Sequence, residues 1–275
     1  MEAVSYTAQW TAAARALESE RDSDAMFQDP YARALAAPRG FELLKKYGGA
    51  GLLPFIAIRT AYMDESVQES LRDSDIRQVV FVAAGMDTRA FRLEWPDGTV
   101  VYEVDHAALI EEKRERLARL GAEPRTERRE VSADLAGAWL PELERAGFDP
   151  AAPTLWVAEG LLFFLEKEQA ETLLATLGSV SAPGSRLAVD LVNKALLRSP
   201  FSREFLKALK DDDTPWLFGT DEPEEFLGSA GWKVQDIKEP GQPGAGAGRW
   251  PYEVQSRDRR GISRSWLVRS EFAGR

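Results

Sequence analysis

The spacing of apolar positions changes near residue 76 and divides the chain into differently patterned stretches. Before that point the period is helical. Trp10, Ala13, Ala14 and Leu17 fall on one face at intervals of three and four. "DPYARALA" offers Asp29 as an N-cap with Pro30 at the first helical position. "FELLKKYGG" closes on glycines, which favour a helix stop. Phe55, Ile58, Tyr62 and Leu71 mark a longer helix that also carries Arg59 and Asp64.

After residue 76, short apolar runs alternate with amphipathic ones. Residues 77–84 form a β-branched run that predicts a first strand. "PDG" is a turn, and "TVVYEVD" predicts a second strand. "HAALIEEKRERLARLG" is an amphipathic helix ending at Gly121, and "RTERREVSADL" holds a short third strand. A helix around 138–146 stops at Gly147, "TLWVAEG" is a fourth strand, "KEQAETLLATLGSVSA" a helix and "SRLAVDLV" a fifth strand. Residues 194–230 return to helix. "GWKVQDI" and "SRSWLVRS" form a last pair of strands, joined by the Gly/Pro loop "EPGQPGAGAGRWP", which is long enough to suggest mobility or function.

Alternating strands and helices imply a parallel sheet covered on both faces. A final pair without a helix between them implies an antiparallel edge strand. The expected fold is therefore α/β, a Rossmann-like seven-stranded sheet, mostly parallel, within one domain spanning 1–275. Its expected parts are an N-terminal helical lid segment (1–75), a cofactor-binding core (76–193), a helical insertion (194–230) and C-terminal strands (231–275).

Composition removes several chemistries. The chain has no cysteine, so disulfides, thiolate nucleophiles and cysteine-ligated metals are impossible. His106 is the single histidine, so a histidine-rich zinc site cannot be built, and no metal is expected. A formal net charge of −10 argues against nucleic acid as the main partner. "MEAVSYTAQW" has no signal-peptide pattern, and no apolar run reaches membrane-spanning length. The expectation is a cytoplasmic protein with no membrane partner.

In an open α/β sheet, ligands bind beyond the carboxyl ends of the strands. Ala83-Ala84-Gly85-Met86-Asp87 follows the first strand, and Glu103 and Asp105 close the second. Asp134-Leu135 follows the third and Glu159-Gly160 the fourth. Gly85 allows close backbone approach to a ligand. Asp105 follows it by roughly twenty residues, the spacing of an acid that accepts from ribose hydroxyls. Glu103 shares its face of the strand, but Asp105 stands nearer the end. Asp134 can accept from an adenine amino group, the Leu135 amide can donate to a ring nitrogen, and Glu159 can pair with a cationic amine.

Plainer roles compete at each position. Gly85 can be a turn glycine, Asp105 a helix cap, Asp134 and Glu159 turn residues, and His106 a helix-start residue. Asp211, Asp212 and Asp213 read as a solvated loop, and "LLFFL" at 161–165 as core or pocket wall. A pyrophosphate-bearing dinucleotide wants several glycines and a helix N-terminus. One glycine, many acids and a nearby arginine suit S-adenosylmethionine better, leaving an NAD(P)-dependent oxidoreductase as the alternative.

"RALESERDSDAMFQDPYA", "IRTAYMDE", "AAGMDTRAFRL", "YEVDHAALIEEK", "SADL" and "AEGLLFFL", in this order, resemble S-adenosylmethionine-dependent methyltransferases of the leucine carboxyl methyltransferase type. That group includes bacterial O-methyltransferases, some in polyketide pathways. The resemblance implies a class I methyltransferase sheet with a helical lid, S-adenosyl-L-methionine as cofactor and S-adenosyl-L-homocysteine as product. It implies Gly85 and Asp105 at the cofactor, Asp134 and Leu135 at the adenine, Arg59 on the cofactor carboxylate and Glu159 near its amino group, with Arg15 a further candidate. Ala83 departs from the pattern, standing where the family has its first glycine.

The expected acceptor is a small molecule bearing a carboxylate or hydroxyl. A carboxylate is ionised at neutral pH and needs no base. A phenol or alcohol wants one, and His106 would be it. Arg59, Arg89, Arg198 and Arg203 are candidates to hold an acceptor carboxylate.

Overall fold

The computed structural model describes residues 3–49, 51–72 and 74–274. Seven strands form one sheet: β1 (Gln78–Val82), β2 (Val100–Asp105), β3 (Glu127–Ser132), β4 (Thr154–Ala158), β5 (Arg186–Val192), β6 (Trp232–Lys238) and β7 (Ser265–Phe272). Their order is β3-β2-β1-β4-β5-β7-β6. The first five strands pair in parallel. β7 runs antiparallel to both β5 and β6. The expected antiparallel strand thus lies at this end of the sheet, one position in from the rim, with β6 outside it.

The central strands β1 and β4 are buried along their whole length. Helices cover both of their faces, so their sequences are apolar runs rather than alternating ones. The chain reverses its order between β3 and β4, where β4 returns to pair with β1. The crevice at that reversal is where a ligand can enter between strand ends.

Ten helices accompany the strands among the described residues: α1 (Ala3–Ser19), α2 (Ala32–Tyr47), α3 (Leu52–Arg72), α4 (Arg89–Arg92), α5 (Ala107–Arg119), α6 (Leu140–Arg145), α7 (Lys167–Ser179), α8 (Lys194–Arg198), α9 (Arg203–Asp211) and α10 (Pro223–Gly228). The single turn α4 was not legible as a separate helix. The helical stretch expected over 194–230 is three short helices. Trp10, Ala13 and Ala14 are buried as the periodicity requires, but Leu17 is 38% exposed, while Ala12 and Ala16 are fully covered. Small alanines allow α1 to be buried on more than one side as it packs against α2 and α3.

Three local expectations change. α2 starts at Ala32 behind Tyr31, not behind Asp29. The Asp29 carboxylate instead accepts from Arg15 Nε at 3.0 Å and Thr88 Oγ1 at 2.7 Å. Asp212 is not a free loop acid: Lys46 Nζ donates to it at 2.5 Å, and the Tyr47 hydroxyl donates as well, tying α9 to α2. The Gly/Pro loop between β6 and β7 lies against α3, close enough that a Cβ at Gly246 would stand 2.3 Å from Ile58. No helix among the described residues is long and apolar enough to cross a membrane.

Candidate active site

The turn after β1 sets the geometry of the site. Ala84 N donates to Val104 O at 3.1 Å and Asp87 N to Ala84 O at 2.9 Å, so the chain folds back as soon as it leaves the sheet. Gly85 has φ +51°, and a Cβ there would stand 3.1 Å from the Cβ of Ala8 on α1. Glycine is needed for both reasons. Ala83 is more informative. It has φ +58°, the left-handed region that favours glycine. The departure from the family pattern therefore sits at a backbone conformation that costs an L-residue about 1 kcal/mol or more.

Asp105 ends β2 beside that turn. One carboxylate oxygen accepts from Gly85 N and the other from His106 N, both at 2.7 Å. The helix-cap alternative is not what forms: α5 starts behind His106 with no side-chain cap. Burial pushes the Asp105 carboxyl above the usual carboxylate range, with the Gly85 and His106 amides working against it. Glu103, on the same face, has a different fate. Lys113 and Arg128 bind it at 2.7 and 2.6 Å, and it is no part of the cavity wall.

A cavity of about 260 Å³ opens at these strand ends. Arg59, Gly85, Asp105, Asp134, Leu135 and Glu159 all line it, as do His106 and Ala83. Arg15 and Arg89 line it too, whereas Arg198 and Arg203 do not, because the short helices α8 and α9 hold them elsewhere. Asp134 is exposed and shapes its own turn, accepting from Ala136 N at 2.9 Å.

Glu159 is bound from two sides. Arg59 Nε donates to Oε1 at 2.9 Å and Arg89 Nη2 to Oε2 at 2.8 Å. Burial opposes its ionisation, but the two guanidiniums prevail and hold the carboxyl below its ordinary range. Asp87, also bound by Arg89, is depressed in the same way against burial. Arg89 further pairs with Asp64 at 2.7 Å, and Arg92 binds Asp64 with two bonds of 2.6 and 2.7 Å. Gly160, at φ +68°, leaves room for Arg59.

Asp190 completes the network and was missed by sequence reasoning. It is fully buried near the end of β5, where it accepts from Gly160 N at 2.6 Å and Arg59 Nη1 at 3.2 Å. Burial dominates and raises its carboxyl. The available signal was an acid inside the apolar run "RLAVDLV". Of the apolar side of the cavity, the sequence marked only the "LLFFL" segment, whose Leu161, Phe163 and Leu165 line it; the contributions of Trp10, Phe55 and Trp216 were missed. Among the described residues, no group of three or more His, Asp or Glu could hold a metal ion.

The sheet order and the ligand-sized cavity at its reversal define a class I methyltransferase architecture. Solved structures with this fold include a DUF574 family protein from Streptomyces avermitilis, with TM-score 0.65, 15% identity and 95% and 96% of the two chains covered. Another is a protein from Thermobifida fusca assigned as a methyltransferase, with TM-score 0.62, 16% identity and 97% and 94% covered. Residues 8–178 match the family model of leucine carboxyl methyltransferase. A Mycolicibacterium smegmatis protein assigned as an S-adenosyl-L-methionine-dependent methyltransferase is 40% identical over 251 residues, covering 84% of each chain. A Mycobacterium avium protein of the same assignment is 37% identical over 268 residues, covering 85% of each. The chain belongs to the leucine carboxyl methyltransferase family of S-adenosylmethionine-dependent methyltransferases. The oxidoreductase alternative is set aside by that membership.

Proposed function

We propose that this protein is an S-adenosylmethionine-dependent O-methyltransferase acting on a small-molecule acceptor, with a carboxylate as the receiving group. One observation carries the reading. A single cavity at the strand ends gathers Arg59, Gly85, Asp105, Asp134, Leu135 and Glu159 on its polar side and aromatic rings on its apolar side. The donor set fits the cofactor. Around Arg15, Arg59, Arg89 and Arg92 stand five carboxyl groups, Asp29, Asp64, Asp87, Glu159 and Asp190. Such a surplus suits a ligand bearing an ammonium and a sulfonium and disfavours a pyrophosphate.

Asp105 would accept from the ribose hydroxyls, Asp134 and the Leu135 amide would receive the adenine, and Glu159 would face the amino group. Arg59 would face the cofactor carboxylate, and the helices of residues 1–75 would act as the lid. When bound, the sulfonium supplies a methyl group that an acceptor oxygen takes by in-line displacement, the bonding pair remaining on sulfur. The chain's contribution is alignment and exclusion of water, which can supply roughly 7–11 kcal/mol.

A second reading keeps the cofactor and changes the acceptor. His106 lines the same cavity, so a phenol could lose its proton there. Calorimetry of the purified protein with S-adenosylmethionine tests the shared part, and absence of binding removes both readings. With turnover of a phenol in hand, an unchanged rate in His106→Ala removes His106 as the base.

A further inference from the structure

Asp190 belongs to the ion-pair network but not to the cavity wall. It is fully buried near the end of β5, beyond the reach of any ligand in the cavity. Both of its oxygens are nevertheless engaged. One accepts from Gly160 N at 2.6 Å and the other from Arg59 Nη1 at 3.2 Å. Those two donors are themselves in contact. Gly160, just past the end of β4, has φ +68°, and a Cβ there would stand 3.1 Å from Arg59 Nη1 and 3.3 Å from Nη2. The bare backbone of the Glu159–Gly160 turn thus packs against a guanidinium supplied by α3. Asp190 ties the two together, and Glu159 takes Arg59 through a different nitrogen, Nε, at 2.9 Å.

A count of donors shows what this anchoring leaves over. Arg89 uses Nε on Asp64, Nη1 on Asp87 and Nη2 on Glu159. Arg92 uses Nε on Thr88 and both terminal nitrogens on Asp64. Arg59 uses Nε and Nη1 alone, so among the described residues its Nη2 makes no hydrogen bond. Arg59 also lines the cavity. A planar guanidinium held at two nitrogens is fixed in orientation, and it loses little further freedom when a ligand takes the third.

Resting on the reading in which Arg59 meets the cofactor carboxylate and Glu159 its amino group, we propose that Asp190 is a positioning residue for the amino-acid end of S-adenosylmethionine. It acts through Arg59 and the Gly160 amide and does not touch the cofactor. The role requires a carboxylate. Two donors need two acceptor oxygens, whereas an asparagine has one and turns an NH2 group toward the other donor.

The test uses the full chain and two ligands, S-adenosylhomocysteine and 5′-methylthioadenosine. The second keeps the nucleoside and the sulfur and lacks the amino-acid end. Calorimetry gives the affinity for the first, and displacement of the first gives that for the second. Asp190→Asn should weaken S-adenosylhomocysteine about tenfold and leave methylthioadenosine within about twofold of the parent. Arg59→Gln should also weaken the first ligand. The double variant should then fall by less than the product of the two single losses, because Asp190 acts through Arg59. Losses that simply multiply overturn the proposal. Equal weakening of both ligands, or an Asp190→Asn chain that does not fold, assigns Asp190 to the fold alone and overturns it as well. So does unchanged or tighter binding of S-adenosylhomocysteine: removing a negative charge beside Arg59 by itself favours a carboxylate ligand, so a purely electrostatic role predicts a gain. Failure of the parent to bind S-adenosylhomocysteine, or an Arg59→Gln variant that binds it as the parent does, would instead remove the underlying reading.

Discussion

The cavity has two walls built by opposite means. On the charged wall, Arg59, Arg89 and Glu159 are locked by ion pairs, with the buried Asp190 behind them tied to Arg59 and the Gly160 amide. Three of those four groups lie close to a strand in sequence, so the sheet alone brings them near one another. On the aromatic wall, Trp10, Phe55, Phe163 and Trp216 come from four segments that meet only when the helices have packed. The charged wall is over-determined, with nearly every group bonded more than once. The aromatic wall leaves two indole donors unmet.

Removing the keystone of each wall should produce the largest effects. Arg89→Ala leaves Asp64, Asp87 and Glu159 without their common partner and should destabilise the fold by about 3–5 kcal/mol in urea titrations. Trp10→Ala opens a cavity beneath a residue only 3% exposed and should cost a similar amount, about 3–5 kcal/mol. Loss of less than about 1 kcal/mol in either variant would mean that the corresponding wall is not structural.

Acid separates the two losses. Asp87 and Glu159 are held below the ordinary carboxylate range, so their stabilisation is present above about pH 4 and vanishes as pH falls through their folded-state values. The stability gap between the parent and Arg89→Ala should therefore shrink between pH 6 and pH 3. The gap for Trp10→Ala should stay constant. Parallel behaviour of the two variants would break the distinction.

Smaller effects belong to the turn between the walls. Asp105→Asn should weaken S-adenosylmethionine binding by roughly ten- to a hundredfold in calorimetry, the worth of a hydrogen bond to a charged group. Unchanged affinity would detach Asp105 from the cofactor. Ala83→Gly relieves the left-handed conformation and should raise stability by about 1 kcal/mol, seen as a rise in Tm of about 2–4 °C. A fall in Tm would show that the Ala83 methyl is worth more than the strain it carries.

Much of this arrangement was legible because its signals are local. The β-branched runs ending in "AAGMD", "EVD", "SAD" and "AEG" marked both the strands and the positions that line the cavity. Preference for Asp105 over Glu103 came from two residues of distance along β2, and the cavity wall includes the first and not the second. Arg198 and Arg203 could not be told from Arg59 and Arg89, because nothing in a local pattern says which way a short helix will turn its side chains.

Chain order and apolar period by themselves determined the seven strands, the parallel core and the strand-end acids, since these follow from backbone hydrogen bonding and from which side chains must leave water. The tertiary structure alone decided how those acids are used. Asp190 became a partner of Arg59, Glu103 was neutralised by Lys113 and Arg128, and Trp10 met Trp216 across Phe205. The strain at Ala83 belongs to the same category. A residue's identity states which bonds it can make, but burial and the neighbours that packing delivers select the ones it does make.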